Sequence, residues 1–322
     1  MIPIYDLDKY DLSFKNGSYG GAAGNKEGIT IDGESWMVKY PKNLSEMVGK
    51  GMASYSTSPL SEFIGSHIYE ILGLDVHHTI LGIRHNKLVV ACKDFATDGL
   101  LLEVRTIKNY ASEEFSALLD SSPISSTDAH IVDLDELLLH IRKNPLLYNI
   151  PGVEDRFFEQ ALVDILIGNN DRNSGNWGIL RNKKTGDQIA PVFDNGGCFL
   201  SKAGDEKVSS ILQSQELKNN AINTLTAYGS GSHQYSAIKF LDRTKDEPVM
   251  KQALIKIVPL IEKCSDDIKN FINSLPENIN QNNITYPVCS ADRKTLYIKH
   301  MEIRYKEVLY PAYEKALADK QK

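Results

Sequence analysis

Residues 168–178 read GNNDRNSGNWG, and sixteen positions after Gly178 stands Asp194 in the string PVFDNGG. An Asp followed five positions later by an Asn, as Asp171 is by Asn176, is the spacing at which a carboxylate takes the proton of an acceptor hydroxyl while a carboxamide oxygen holds Mg²⁺. A second Asp in a glycine-flanked turn beyond a short hairpin supplies the main metal ligand in such sites. Asp194 meets that description, with Val192 and Phe193 before it and Gly196 and Gly197 after. The chemistry these residue types suit is phosphoryl transfer. Arg172 either neutralises charge in the loop or on phosphate, or pairs with a structural carboxylate.

Clustered Asn, Asp, Ser and Gly also build ordinary surface turns, so the flanking elements decide. Upstream, Phe157, Phe158, Ala161, Leu162, Ile165 and Leu166 recur at helical spacing. Downstream, Trp177, Ile179 and Leu180 start a strand, residues 182–187 make a turn, and Ile189, Pro191, Val192 and Phe193 form a second strand. A helix, a polar loop, a hairpin and an Asp-Gly turn in that order are an architecture rather than a generic turn.

A second stretch with phosphate-handling character lies near the N-terminus, after residues 1–15, which read as an edge strand or a tether. Residues 16–28, NGSYGGAAGNKEG, hold five glycines before a strand pattern at 29–31. Glycine lets backbone amides approach phosphate oxygens closely, and Gly20, Gly21 and Gly24 are the candidates; a flexible linker has the same composition. Residues 35–40 then form a short alternating strand that carries Lys39 among large apolar groups. A Lys there can reach nucleotide phosphates or snorkel to water. Ser58 and Pro59 read as an N-cap and first helical residue. The helix carries Leu60, Ile64, Ile68 and Ile71 on one stripe, with Gly73 as its stop. Glu62 sits off the stripe, either as a partner for Lys39 or as a solvated helical carboxylate. Residues 76–84 and 87–92 read as strands joined at His85 and Asn86. The composition changes after Lys93, Asp94 and Phe95, so the domains expected are 1–95 and 96–322.

The remainder reads as mostly helical: 112–119, 134–143, 154–167, 217–228, 248–275 as two helices, and 290–318 punctuated by Pro311. Residues 121–127 and 229–232 have loop composition, and their serines are candidate phospho-acceptors. At 322 residues, 42% hydrophobic and 24% charged, with net charge -6, the chain has the make-up of one or two soluble globular domains. No global field draws it to nucleic acid or anionic lipid. Cys92, Cys198, Cys264 and Cys289 lack the close spacing of zinc or redox motifs and read as reduced, buried thiols. With no signal-peptide pattern and no twenty-residue apolar span, the expectation is synthesis in a cytoplasm and no integral membrane segment.

In order, the glycine-rich loop, WMVKYP, SPLSEFIGSHIYEILGL, KLVVACKDF, FFEQALVDILIGNNDRNSGNWG and PVFDNGG resemble the HipA-like kinases. That family lies in the phosphatidylinositol-kinase-like branch of the protein-kinase fold, and the resemblance covers roughly residues 16–200. It implies an α+β, two-lobed protein-kinase-like fold, with a small β-rich N-lobe, a larger mainly helical C-lobe and ATP between them. It further implies Mg²⁺ and transfer to Ser or Thr of a protein, by a bacterial effector that phosphorylates itself and acts on a host protein. Carried residue by residue, Lys39 matches the phosphate-binding Lys and Glu62 its helical partner. Asp171 matches the catalytic Asp, Asn176 and Asp194 the metal ligands, and Lys93 to Phe95 the hinge. Two departures bear on the acceptor. Asn173 stands where many lipid kinases have His, and Asn195 makes the turn DNG in place of DFG. A phosphatidylinositol-type lipid kinase and a nucleotide-binding pseudokinase module are the alternatives.

Overall fold

The computed structural model describes residues 2–19, 26–46, 52–108 and 131–320. Gly20, Gly21 and Gly24, the helix expected at 112–119 and the loop at 121–127 lie outside the described residues. The chain divides into two compact units. One is Met1–Phe95 with Asn195–Lys218 and Lys263–Met301; the other is Ala96–Asp194 with Asn219–Glu262 and Glu302–Lys322.

The first unit is built on a five-stranded sheet of β1 (Ile4–Asp6), β2 (Lys26–Ile31), β3 (Glu34–Lys39), β4 (Thr79–Arg84) and β5 (Lys87–Lys93), in the order β1-β4-β5-β3-β2. Its pairs are antiparallel except for β1 along β4. Period-two alternation puts Ile29 and Ile31, Trp36 and Val38, and Val89 and Ala91 on one face, where Leu7 completes their cluster. Lys39 therefore falls on the opposite face from Val38. The two-residue turn between β4 and β5 needs left-handed backbone at both positions, and His85 (φ 49°) and Asn86 (φ 57°) supply it.

Helix α1 (Ser58–Ile71) starts one residue before the position expected. Thr57 flanks it without a side-chain capping bond, Ser58 is its first residue, and Ser58 Oγ lies 2.8 Å from Ser56 Oγ. Proline fits at the next position because amides of the first turn have no partner within the helix. At the other end Gly73 N–H returns to Glu70 O at 2.8 Å and Leu74 N–H to Tyr69 O at 2.9 Å, closing the helix. Burial of α1 extends well beyond the Leu60–Ile71 stripe and takes in Ser61, Glu62, Gly65 and Ser66. The later segments join this unit through Thr57 N–H to Ser201 O at 2.7 Å and Ala53 N–H to Lys202 O at 3.1 Å.

The second unit centres on the helix Val153–Ile167, buried along most of its length. Around it Phe157, Phe158, Trp177, Tyr228 and Phe240 form a chain of ring contacts. The hairpin Gly178–Arg181 with Gln188–Ile189 gains a third antiparallel strand, Leu100–Glu103. The helix expected at 217–228 stops at Ile222. Leu225–Ser230 is instead a strand, antiparallel to His233–Ser236 and parallel to Val132–Asp133. Thr226, Tyr228 and Tyr235 favour a pleated surface; of the run expected as loop at 229–232, Gly231 and Ser232 make the connecting turn, and Gly229 and Ser230 end the strand. The break within 248–275 falls at Cys264, between Pro248–Lys263 and Ser265–Ser274. Near the C-terminus the backbone widens into a π-turn at Tyr305–Leu309 before the final helix Tyr310–Lys320. Pro311, without an amide to donate, follows that widening. Among the described residues no helix is long and apolar enough to cross a membrane.

Candidate active site

In the first unit, Lys39 ends β3 on the face where α1 presents Glu62. The ammonium lies 2.7 Å from Glu62 Oε2, with the two side chains 15% and 1% exposed. A carboxylate so deeply buried requires partners on both oxygens. Glu62 Oε1 accepts from the backbone N–H of Asn195 at 2.8 Å and lies 3.0 Å from His77 Nε2. Burial alone would raise the Glu62 carboxyl. The Lys39 charge and the His77 hydrogen bond outweigh it and hold the group well below its ordinary range. Glu62, His77 and Cys92 bring one carboxylate, one imidazole and one thiol atom within 4.8 Å of one another, donors of the kind zinc takes. Lys39, His77 and Asn195 already engage that carboxylate, so the geometry is that of an ion-pair network.

The segment expected to act as a hinge closes β5. Lys93 N–H donates to His78 O at 2.9 Å and Asp94 N–H to Ser35 O at 3.0 Å. The Lys93 ammonium pairs with Glu34 at 2.8 Å, and the Phe95 ring meets His77 edge-on at 6.5 Å. Asp94 Oδ2 accepts from Lys15 at 2.7 Å and from the Tyr19 hydroxyl at 3.2 Å.

In the second unit, the helix Val153–Ile167 stops at Gly168, whose φ of 67° turns the chain into the polar loop. Asp171 is exposed. Its backbone carbonyl accepts from Asn176 Nδ2 at 2.6 Å, and its Oδ1 accepts from Asn173 Nδ2 at 3.2 Å. Asn173 thus works inside the loop: its own Oδ1 accepts from Gly175 N–H at 2.9 Å. Arg172, which the sequence left between two roles, pairs with a structural carboxylate. Its Nε and Nη2 meet Asp164 at 2.9 and 3.0 Å. Its Nη1 donates to Asn176 O at 3.0 Å, to Phe193 O and, at 3.4 Å, to Asp194 O. One guanidinium therefore grips the loop of Asp171 and Asn176 together with the segment that delivers Asp194. Asp194 itself is half-buried, with φ 60°, a left-handed conformation that Asp and Asn adopt more readily than other non-glycine residues.

Asp164, His77, Ser66 and Asn195 are site residues that sequence reasoning missed or left as a departure. Asp164 had a signal: an acidic residue within the apolar run FFEQALVDILIG requires a buried partner. His77, beside His78 in the stretch 76–84 that reads as a strand, carried none; the strand itself begins at Thr79.

No family model matches the chain. It is 31% identical over 280 residues to the serine/threonine-protein kinase CtkA of Helicobacter pylori strain J99, covering 85% of this chain and 80% of that protein. The crystal structure of a Helicobacter pylori proinflammatory kinase CtkA superposes with a TM-score of 0.80 at 27% identity, over 98% of this chain and 99% of that one. A chain of the Shewanella oneidensis MR-1 HipA, HipB and operator DNA complex superposes with a TM-score of 0.52 at 12% identity, over 97% of this chain and 70% of that one. The last likeness is one of fold, and it matches the α+β, kinase-like architecture expected from sequence.

Proposed function

This chain belongs to the family of the serine/threonine-protein kinase CtkA and is itself a protein serine/threonine kinase, and we propose that it moves the γ-phosphoryl group of ATP, with Mg²⁺, to protein Ser or Thr hydroxyls. The observation that carries this reading is the buried Lys39–Glu62 pair at 2.7 Å. A cation held by a carboxylate at the end of the strand that follows a glycine-rich run is positioned to receive phosphate oxygens.

Each residue takes a defined part. Lys39 binds the α and β phosphates, and Glu62 keeps its ammonium in place. Amides of Gly20, Gly21 and Gly24 contribute further donors to phosphate. Lys93 and Phe95 bound the segment assigned to adenine; since the Lys93 ammonium is paired with Glu34, the contribution there is main-chain. Asp171 orients the acceptor hydroxyl and receives its proton, its carboxylate steadied by Asn173. The Asn176 carboxamide and the Asp194 carboxylate are hard oxygen donors that suit Mg²⁺. Asn176 Nδ2 is committed to Asp171 O, which leaves the carboxamide oxygen as the ligating atom. Bound Mg²⁺ supplies charge neutralisation for the phosphates. In this reading residues 1–95 carry the phosphate-holding groups and 96–322 the catalytic and metal-binding ones.

The relative of known structure is described as a proinflammatory kinase. We extend to this chain the role of a bacterial effector that phosphorylates itself and a host protein. The test is phosphosite mapping after incubation with Mg-ATP, wild type against Asp171→Ala, with protein and phosphoinositide acceptors side by side. Phosphoserine or phosphothreonine on protein, formed by wild type and lost in the variant, is the expected result. Phosphate on lipid alone, or transfer undiminished in Asp171→Ala, overturns the reading.

A further inference from the structure

Glu62 belongs to a hydrogen-bonded ring that the kinase reading does not require. Asn195 N–H donates to Glu62 Oε1 at 2.8 Å, and Asn195 Nδ2 donates to Ser66 Oγ at 3.0 Å. Ser66 Oγ lies 3.0 Å from His77 Nε2, which in turn lies 3.0 Å from Glu62 Oε1. The ring is thus Glu62, Asn195, Ser66, His77 and back to Glu62. Its members are 0% to 3% exposed. An ionised carboxylate only accepts, so the hydrogen on His77 must sit on Nε2, facing Glu62; Ser66, already accepting from Asn195, shares that N–H.

Space for the ring is made by Gly65. A Cβ there would stand 2.9 Å from Asn195 Cβ and 3.2 Å from Cys198 Sγ. The departure DNG then has a physical account. Asn195 is wholly buried against α1, with a carboxamide donor aimed at Ser66, a place a phenyl ring could neither fill nor satisfy.

We propose that His77 and Asn195 are positioning residues for Lys39: steadied by Ser66, they fix Oε1 of Glu62, so that Oε2 is presented to the ammonium. This rests on the phosphate-holding role given to Lys39 above. Without the ring, Glu62 keeps its charge but loses its orientation, and the consequence falls on nucleotide use.

The experiment is steady-state kinetics with Mg-ATP and a protein acceptor, with thermal unfolding recorded for each variant. His77→Phe, which keeps the bulk and removes the donor, is expected to lower kcat/KM for ATP roughly ten- to a hundredfold, the scale of a charge-assisted hydrogen bond. KM for the acceptor should not change. His77→Gln places an amide N–H near the site of the imidazole Nε2 and is expected to restore most of the loss. Asn195→Ala keeps the backbone donor and should cost about three- to tenfold, and adding Ser66→Ala should cost little more, because both break the same ring. Asn195→Phe, which recreates DFG, should be worse than Asn195→Ala. Equal losses in His77→Gln and His77→Phe, losses carried by the acceptor KM, or an active Asn195→Phe overturn the ring; should His77→Phe fail to fold, the Asn195 and His77→Gln variants decide. An active wild type with unaffected variants overturns the ring alone. A wild type without ATP-dependent transfer overturns the kinase chemistry as well.

Discussion

Arg172 is buried to 1% exposure and lies bidentate on Asp164, itself 4% exposed, at 2.9 and 3.0 Å. Its remaining nitrogen reaches the carbonyls of Asn176, Phe193 and Asp194. Removing one member of such a pair leaves an uncompensated charge, which costs about 3–5 kcal/mol. Asp164→Ala should therefore lower the unfolding free energy by that amount, read as a lower urea midpoint, and reduce transfer, because the loop of Asp171 loses its anchor. Asp164→Leu with Arg172→Met should recover much of the stability and little of the activity, since the carbonyls of residues 176, 193 and 194 stay unbound. Denaturation curves and transfer rates on the three proteins check this.

Asp194 at φ 60° calls for a particular control. Alanine there would add strain of about 1 kcal/mol and confuse a lost ligand with a damaged fold. Asparagine tolerates the left-handed region and removes only the charge. Asp194→Asn should keep the melting temperature within a degree or two and lower Mg-ATP-dependent transfer by on the order of 100-fold or more, the scale of a charge-stabilising group. Titrating Mg²⁺ against both proteins is the measurement; unchanged activity in Asp194→Asn removes Asp194 from the metal site.

The acid side of stability should report on Glu62. Burial would raise its carboxyl, but Lys39 and His77 outweigh it and hold the folded-state value below the ordinary 4.5. On acidification the unfolded chain then binds the proton first. The contribution of the ionised form is full above about pH 4.5 and drains away as pH falls toward the folded value. Glu62→Gln does not titrate, so its urea midpoint should fall less steeply than that of wild type below about pH 4.5. Parallel curves in that window would show that Glu62 carries no such contribution.

What the sequence revealed and what it hid divide by range. Asp171 with Asn176, the helix ahead of them and the hairpin after them follow from spacings within a few turns of chain, and Lys39 reads from the alternation of one strand. The meeting of Lys39 with Glu62 needed the kinase resemblance to be expected at all. Ser66 and Asn195 are 129 positions apart, and neither has a local pattern that announces the other. His77 looked like one of two histidines at the start of a strand, because its hydrogen-bond partners, Glu62 and Ser66, both lie on α1. Residues 225–228 read as helix and 229–230 as loop, because the pairing of Leu225–Ser230 with Val132–Asp133 is invisible in a window of a dozen residues.

Gly168 tests how tightly the end of the central helix is specified. A Cβ added at its φ of 67° would stand 2.8 Å from Arg304 Nη1 and 2.9 Å from Nη2. Arg304 cannot simply swing away. It is 3% exposed, with Nη1 on Leu166 O at 3.2 Å and Nε on Ala221 O at 3.1 Å. Gly168→Ala should then cost about 1 kcal/mol for left-handed backbone and about 1–3 kcal/mol more for displaced hydrogen bonds of a buried guanidinium. In an Arg304→Ala background the second part has already been lost, so Gly168→Ala should add only about 1 kcal/mol there. That non-additivity, read from urea midpoints of the four proteins, separates backbone strain from the clash. Strictly additive costs would mean that Arg304 gives way freely and that the turn into the Asp171 loop is held by backbone conformation alone.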